Sequence, residues 1–187
     1  MRNLTLSHAI SLDGFTNGPD GEFVPPPWSD DVAQKWSGWA MERGGPYIYG
    51  RAMFEYQRAF WLAAEHDEAM PQDLRDFAVA YNRAPRFVVS KTLTGDPGWN
   101  ATVLGSLDAL AALKAQAGPD LICFGGADLA HSLAEADLID AYRIMLVPYT
   151  LGGGAKLFDG GPRRDFTLTE TLTTDMGSLI LTYERAR

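Results

Sequence analysis

The sequence is poor in cysteine, since Cys123 is the only one among its 187 residues. A single thiol cannot form an intramolecular disulfide, and it cannot supply the several ligands of a zinc cage. Cys123 stands inside the apolar run LICF (121–124), where a small buried residue is the usual occupant. We therefore expect Cys123 to be a core residue rather than a functional one.

Positive charge is also scarce. The chain has 16 Lys and Arg against 24 Asp and Glu, which gives a net charge of −8, and its basic residues are scattered singly. Nucleic acids and anionic membranes bind basic patches, so we expect neither as a partner. The histidines His8, His66 and His131 are far apart in the sequence, and we predict no metal site.

Long apolar runs are missing as well. No stretch approaches the roughly 18 residues that span a bilayer. The segment MRNLTLSHAIS (1–11) alternates in polarity instead of forming the apolar core of a signal peptide. We therefore expect a cytoplasmic protein. The length is that of one domain, and 46% hydrophobic residues is an ordinary globular composition, so we predict a single domain over residues 1–187.

What the sequence does contain is a regular alternation of strands and helices over its first two thirds. Strands separated by helices of about ten residues pair in parallel and place helices on both faces of the sheet. In the last third, DFTLTETLTT and GSLILTYERA are two strand-like runs joined by a short turn, which predicts an antiparallel hairpin. The predicted fold class is α/β, a three-layer α/β/α arrangement with a mixed, mostly parallel sheet and an antiparallel C-terminal hairpin.

A long loop follows the first predicted strand. Residues 11–28, SLDGFTNGPDGEFVPPPW, are rich in Gly, Pro, Asn and Asp. Ordered loops of this length in compact domains are usually functional. Ser29 then predicts the N-cap of a helix with Asp30 and Asp31 in its first turn, and Gly44 predicts its end.

Three segments place a polar or glycine-rich turn directly after an apolar strand, namely YIYGRAMFE, FVVSKTL and LICFGGADL. The carboxyl ends of parallel strands meet at one edge of a sheet, where ligands bind. Glycine and free N–H groups at a helix start favour an anion there. The three turns together therefore predict a nucleotide site, although neither GxGxxG nor GxxxxGK[ST] is present, and each turn alone could be a tight turn without a ligand.

In this order, several segments resemble the dihydrofolate reductase fold, and more closely the C-terminal reductase domain (RibD type) of the riboflavin-biosynthesis deaminase-reductase. These segments are SLDGF, YGRAMFE, FVVSKTL, FGGADLAHSLAEADLID and VPYTLGGGAKLF, and they span residues 7–158. The resemblance implies an NADPH-dependent reductase of a small-molecule substrate, commonly a homodimer. It also places the glycine turn Gly152–Gly154 near the substrate pocket or dimer edge rather than on the cofactor.

The resemblance implies cofactor residues at four places along the chain. Ala9 and Ile10 would lie along the nicotinamide, and the segment Gly50, Arg51, Ala52, Met53, Phe54 would line the phosphates and adenosine. Ser90, Lys91 and Thr92 would face the 2′-phosphate, and Gly125, Gly126, Ala127, Asp128, Leu129 the pyrophosphate. The Gly-Gly peptide is typically cis in that fold, and we expect the same of Gly125–Gly126.

Two departures from the family pattern bear on specificity. Ala52 and Met53 stand where family members often have a basic residue and a threonine, so NADH is not excluded as the cofactor. The segment PPPWSDDV (25–32) offers no equivalent of the helix carboxylate that orients a pterin, so we do not expect dihydrofolate itself as the substrate.

Candidate catalytic and substrate residues lie on the long loop. Asp13 is the best-placed proton donor beside the nicotinamide, and the alternative is that it forms a turn with Gly14. Phe15 and Trp28 could wall a planar substrate, although such aromatics are often core residues. The leading hypothesis is hydride transfer to a pterin-like or ribosylamino-pyrimidine-like ring. A nucleotide-binding protein without turnover is the alternative, and a hydrolase ranks last because there is no GxSxG elbow.

Overall fold

The computed structural model describes residues 1–186. Its eight strands form one sheet in the order β4-β3-β2-β5-β1-β6-β8-β7. Strands β1 to β6 pair in parallel, whereas β8 runs antiparallel to both β6 and β7. The predicted mixed sheet with its antiparallel C-terminal hairpin is thereby confirmed. The strands are β1 (Leu4–Ile10), β2 (Tyr47–Gly50), β3 (Arg86–Val89), β4 (Ala101–Leu104), β5 (Leu121–Cys123), β6 (Ala141–Leu146), β7 (Phe166–Thr173) and β8 (Leu179–Arg185).

The helices begin where the sequence places their caps. Ser29 Oγ accepts a hydrogen bond from the backbone N–H of Val32 at 3.2 Å, and Ser106 Oγ accepts one from Ala109 at 3.2 Å. Gly44 ends the second helix in a left-handed conformation, with φ of 69°. The helices are α1 (Asp30–Val32), a π-helical segment (Ala33–Gly38), α2 (Trp39–Arg43), α3 (Arg51–Ala64), α4 (Gln72–Asn82), α5 (Leu107–Ala115) and α6 (Ala127–Glu135).

Helices cover both faces of the sheet because successive strand residues point to opposite sides. Leu4 and Leu6 of β1 pack in one core with residues of α5 and α6, whereas Ala9 packs in a second core with Val32. Residues of α2, α3 and α4 pack on that same second side against β2 and β3. The three-layer α/β/α arrangement follows from this alternation.

A buried arginine fixes α4 to the sheet. The Arg86 guanidinium lies 3.6 Å from the Trp99 ring centroid and donates to the carbonyl oxygens of Ala84, at 2.5 Å, and Tyr81. Tyr81 lies in the last turn of α4 and Ala84 lies just beyond it, where a cation is favourable, and the stacked ring shields the charge. Burial without these partners would be costly. Arg86 thus holds α4, and the α3 helix packed on it, as a firm wall beside the sheet.

Cys123 is fully buried in β5, as expected, and burial raises the pKa of its thiol to about 12. It is therefore a thiol at neutral pH and a packing residue. Within residues 1–186, none of the helices combines the length and the apolar character that a membrane crossing needs.

Candidate active site

A cleft of about 780 Å³ lies at the carboxyl edge of the parallel strands. Three helices begin at its wall: α3 after Gly50, α5 after Ser106 and α6 after Gly126. Neither Gly50 nor Gly126 caps its helix with a side chain, so the first N–H groups of α3 and α6 keep their hydrogen-bonding capacity. Such groups, together with the helix dipoles, favour an anion in the cleft.

The cleft also carries positive charge from two side chains. Arg51 and Lys91 both line it, and Asp128 is the acidic residue among its lining. Arg51 is about half-exposed, and its guanidinium is oriented by two bonds, from Nε to Glu55 Oε1 at 2.8 Å and from Nη1 to Thr92 Oγ1 at 3.1 Å. A cation at the start of a helix opposes the dipole, and an anion bound beside it would relieve that opposition.

The two glycines after β5 differ in what surrounds them. A Cβ built on Gly126 would meet nothing within 4 Å, so a side chain there would project into the cleft. A Cβ on Gly125 would lie 2.8 Å from Leu129 Cδ2, so Gly125 instead lets α6 pack closely on the strand end. Gly126 therefore leaves open space at the start of α6, and Gly125 has a packing role.

The expectation of a cis Gly125–Gly126 peptide is wrong, because this peptide is trans. Gly126 has an extended backbone, with φ of −67° and ψ of 174°, which leads directly from β5 into the first turn of α6. A trans peptide is sufficient for that geometry, since the chain only has to place Gly126 as the N-cap.

A second cavity, of about 410 Å³, adjoins the cleft, and we call it the ring pocket. Its walls are mostly apolar and rich in aromatic side chains, among them Phe15 and Trp28 of the long loop. Its size falls in the range of small-molecule pockets. Five residues line both cavities and thus form their common border: His8, Thr16, Phe23, Met53 and Tyr56.

Asp13 lies outside the lining of both cavities. Its carboxylate accepts hydrogen bonds from Ser11 Oγ at 2.6 Å and from the backbone N–H groups of Leu151 at 3.1 Å and Gly152 at 2.8 Å. The Ser11 bond, followed by those from the backbone, lowers the pKa of Asp13 to about 2. The carboxylate is ionised at neutral pH and cannot donate a proton, so the expectation of Asp13 as the catalytic acid is corrected. Asp13 anchors the loop instead.

The glycine turn at residues 152–154 lies against the long loop, and hydrogen bonds join the two segments. Thr16 N–H donates to the Ala155 carbonyl at 2.8 Å, and Ala155 N–H donates to Asn17 Oδ1 at 2.6 Å. Gly154 has φ of 116°, and a Cβ there would lie 2.1 Å from the Asn17 carbonyl oxygen. Only glycine fits this position, because both the backbone angle and the close approach exclude a side chain.

His8, which the sequence did not single out, stands at the border of the two cavities. Its Nδ1 lies 3.0 Å from the Ala9 carbonyl oxygen, and its Nε2 is buried without a hydrogen-bond partner. Burial lowers the pKa of His8, and the carbonyls of Ala9 and Gly125 oppose this only in part. The imidazole is therefore neutral at pH 7. A lone histidine in an apolar strand gives no sequence signal for this placement.

The α3 side of the ring pocket was not predicted, although the sequence contains a signal for it. Met53, Tyr56, Gln57 and Phe60 all line the ring pocket. Their spacing is that of one face of a helix, so α3 presents them together. The same periodicity turns Phe54 toward the sheet, where it is 1% exposed and its ring lies 5.6 Å from that of Trp99. Phe54 is thus a core residue and not a cofactor contact.

The structure brings together most of the sequence-predicted residues. Those in the cleft are Gly50, Arg51, Ala52, Met53, Ser90, Lys91, Gly126, Ala127, Asp128 and Leu129. Those in the ring pocket are Ala9, Ile10, Phe15 and Trp28. Phe54, Thr92, Gly125 and Asp13 lie outside both linings.

The architecture is a dihydrofolate reductase-like fold. The crystal structure of a Shewanella sp. PV-4 protein, named for riboflavin biosynthesis, superposes with a TM-score of 0.72 at 25% identity over 99% of both chains. The dihydrofolate reductase of Enterococcus faecalis, complexed with NADP(H) and RAB-propyl, superposes with a TM-score of 0.67 at 15% identity, over 99% of this chain and 97% of that one.

The sequence is matched from residue 2 to residue 180 by the RibD C-terminal domain family, and the chain belongs to this family, whose members are generally NADPH-dependent reductases. The uncharacterized protein YyaP of Bacillus subtilis (strain 168) is 24% identical over 186 residues, which cover 97% of this chain and 94% of YyaP. These findings confirm the resemblance drawn from the sequence motifs.

Proposed function

We propose that this protein is an NADPH-dependent reductase that transfers a hydride to a small planar ring compound. The observation that carries the proposal is the joining of two unlike cavities. One carries the cations Arg51 and Lys91 and is bounded by three helix starts, and the other is rich in aromatic side chains and has, over the residues that the structure describes, no charged residue in its lining. A dinucleotide with a charged end and a reactive ring end fits such a pair.

The residues of the cleft fit the charged end of the dinucleotide. The uncapped starts of α3 and α6 and the open space at Gly126 suit the pyrophosphate. Arg51, Ser90 and Lys91 would meet the 2′-phosphate, while Ala9 and Ile10 would face the nicotinamide at the ring pocket. When bound, NADPH supplies a hydride from its nicotinamide ring.

The chain's own contribution to the chemistry is to orient the two rings and to exclude water. The neutral His8 ring and the aromatic side chains of the border keep this region dry and uncharged. In the described part of the chain, no Asp or Glu side chain lines the ring pocket. The proton that completes the reduction is therefore not supplied by a carboxyl group of the pocket wall.

Binding of NADPH to the purified protein, measured by calorimetry, tests the proposal together with three variants. Arg51→Ala should weaken NADPH by roughly 1 to 1.5 kcal/mol, about tenfold in Kd, because a half-exposed guanidinium contributes less than a buried one. Glu55→Gln should tighten binding, since it frees Arg51 from its carboxylate partner at 2.8 Å. Arg58→Ala is the control, because Arg58 bonds the Pro97 carbonyl at 2.6 Å and lies outside the cleft lining.

Failure to bind at millimolar NADPH and NADH would overturn the proposal. An Arg58→Ala effect equal to that of Arg51→Ala would reassign the loss to general charge rather than to the cleft. NADPH binding without any consumption over a panel of ring compounds would make the protein a nucleotide-binding protein without turnover.

A further inference from the structure

We propose that the ring pocket selects an uncharged, flat and mostly apolar ring compound, and that it rejects sugar phosphates and carboxylates. This inference rests on the proposed function and names the substrate class of the same site. It departs from a ribosylamino-pyrimidine or pterin substrate, because such compounds bring charges or several polar groups, for which this pocket offers few partners beside the His8 imidazole.

Six parts of the chain contribute aromatic rings to the walls of the ring pocket. They are the long loop, the π-helical segment, α3, α4, the end of β5 and the segment that follows β6. Rings on several sides favour a flat ligand that can stack or make edge contacts. The aromatic lining residues are Phe15, Phe23, Trp28, Trp36, Tyr56, Phe60, Trp61, Phe77, Tyr81, Phe124 and Tyr149.

Charge is absent from this wall. Among residues 1–186, no Asp, Glu, Lys or Arg side chain lines the ring pocket. The cations Arg51 and Lys91 line the neighbouring cleft instead. A phosphate or carboxylate in the ring pocket would lose its water without gaining a partner, which is unfavourable.

Several polar side chains of the wall already have partners within the protein. Gln57 accepts a hydrogen bond from Trp61 Nε1 at 2.5 Å and donates one to Met53 Sδ at 3.7 Å. The Tyr149 hydroxyl donates to the Pro25 carbonyl at 3.3 Å, and Ser11 Oγ donates to Asp13. These groups are committed to the fold, so the pocket offers few hydrogen bonds to a polar ligand.

The pocket mouth presents apolar surface to solvent. Phe23, Trp28, Tyr56 and Phe60 line the pocket and are 45%, 48%, 47% and 40% exposed. Large exposed aromatic side chains are typical of interaction sites, and those that line a cavity are typical of a ligand groove. Entry of an apolar ring would remove this surface from water, which is favourable. A charged ligand would lose water against the same surface without gaining a partner, which is unfavourable.

The test uses two probes that share one ring, 1,4-naphthoquinone and its 2-sulfonate, with ribose 5-phosphate as a sugar phosphate. Calorimetric titration of the full chain at saturating NADP⁺, which fills the cleft without reducing the quinone, should give at least tenfold tighter binding for the neutral quinone than for the sulfonate. Ribose 5-phosphate should not compete with the quinone. Equal or tighter binding of the sulfonate, competition by ribose 5-phosphate, or no binding of either quinone would overturn the inference.

A charge placed in the wall gives a second test with a matched control. Phe60→Lys should shift the quinone-to-sulfonate preference at least tenfold toward the sulfonate. Leu62→Lys, on the same helix and 42% exposed but outside the pocket lining, should leave the preference unchanged. If Phe60→Lys does not fold, Trp28→Lys places the charge from the loop side. An unchanged preference in the folded variant would overturn the inference.

The two proposals fail separately. NADPH affinity, measured alone, tests the proposed function, while the ratio of the two quinone affinities, repeated without any nucleotide, tests the ring pocket. Loss of NADPH binding with the neutral preference intact would overturn the proposed function only. NADPH binding with a preference for the sulfonate would overturn the substrate class only.

Discussion

Gly125 and Gly126 are neighbours in the sequence, yet a substitution at Gly126 should mainly weaken NADPH binding, whereas one at Gly125 should mainly lower the free energy of unfolding. Gly126→Val places a side chain in the cleft, where nothing lies within 4 Å, so it should weaken NADPH at least about tenfold. The cost in folding should be small, about 0.5 to 1 kcal/mol, since φ of −67° suits any residue and only the N-cap preference is lost. Calorimetry and urea unfolding measure the two effects.

Gly125→Ala is the matched variant. Its Cβ would lie 2.8 Å from Leu129 Cδ2, so overpacking should cost about 1 to 3 kcal/mol of unfolding free energy while NADPH still binds. If Gly126→Val unfolds the protein, the role assigned to Gly126 is wrong. If Gly125→Ala abolishes NADPH binding in a folded protein, the role assigned to Gly125 is wrong.

The location of single residues in the cleft could be predicted from the sequence where a residue follows directly after a parallel strand. Gly126 and Arg51 reach the cleft because each follows a parallel strand. The prediction was wrong at Asp13, where the deciding contacts are backbone N–H groups of Leu151 and Gly152. No local pattern predicts a partner so distant in the chain. His8 was missed for a similar reason, since its burial depends on elements packed from elsewhere.

At the scale of elements, the long loop and the 152–154 turn act as one unit. Gly154→Ala would bring a Cβ to 2.1 Å from the Asn17 carbonyl oxygen at a φ of 116°. We expect a loss of about 2 kcal/mol or more in unfolding free energy, together with weaker ring binding as the loop shifts. Urea unfolding and quinone titration measure both.

Gly152→Ala is the control for backbone strain alone. Gly152 has φ of 72° with nothing within 4 Å of a Cβ, so its replacement should cost only about 1 kcal/mol and leave ring binding intact. Equal effects of the two alanines on ring binding would show that the contact with Asn17 does not hold the loop.

The elements themselves were largely predictable, because their signals are local. The capping serines Ser29 and Ser106 and the stop at Gly44 were recognised, and the strand–turn–helix segments gave the parallel sheet. Which residues of α3 face the pocket also follows from helical spacing. The partnership of the loop with the glycine turn could not be predicted, since it joins segments that are distant in sequence.

For the whole molecule, His8 makes stability depend on pH. Burial lowers the pKa of His8 in the folded state below the ordinary 6.5. Below pH 6.5 the unfolded state therefore binds a proton at His8 more readily than the folded state does. The free energy of unfolding should therefore fall between pH 7.5 and 5.5, by at most about 1.4 kcal/mol from this residue. Urea unfolding at the two pH values measures the loss.

His8→Gln should remove this part of the pH dependence, because glutamine does not titrate. His66→Gln is the control, since His66 is exposed and its replacement should leave the wild-type dependence in place. A His8→Gln protein that loses as much stability as the wild type over the same range would contradict the assignment.

The mixed character of the sheet followed from the order of elements, but the order of the strands did not. β1 lies between β5 and β6, with Leu4 paired to Leu121 and Thr5 to Ala141. The local sequence of β1 does not predict that β5 and β6 are its partners. Loop-closure entropy penalises such distant pairings, and only the completed core compensates for it.

The central position of β1 has a consequence for biosynthesis. Both of its neighbours are encoded far downstream, so at ribosomal rates this apolar strand stays unpaired for on the order of ten seconds before β5 and β6 emerge. During that interval its open edges can pair with other nascent chains. The production of this protein in a cell therefore depends on how well the unfinished chain is shielded, as well as on the stability of the finished fold.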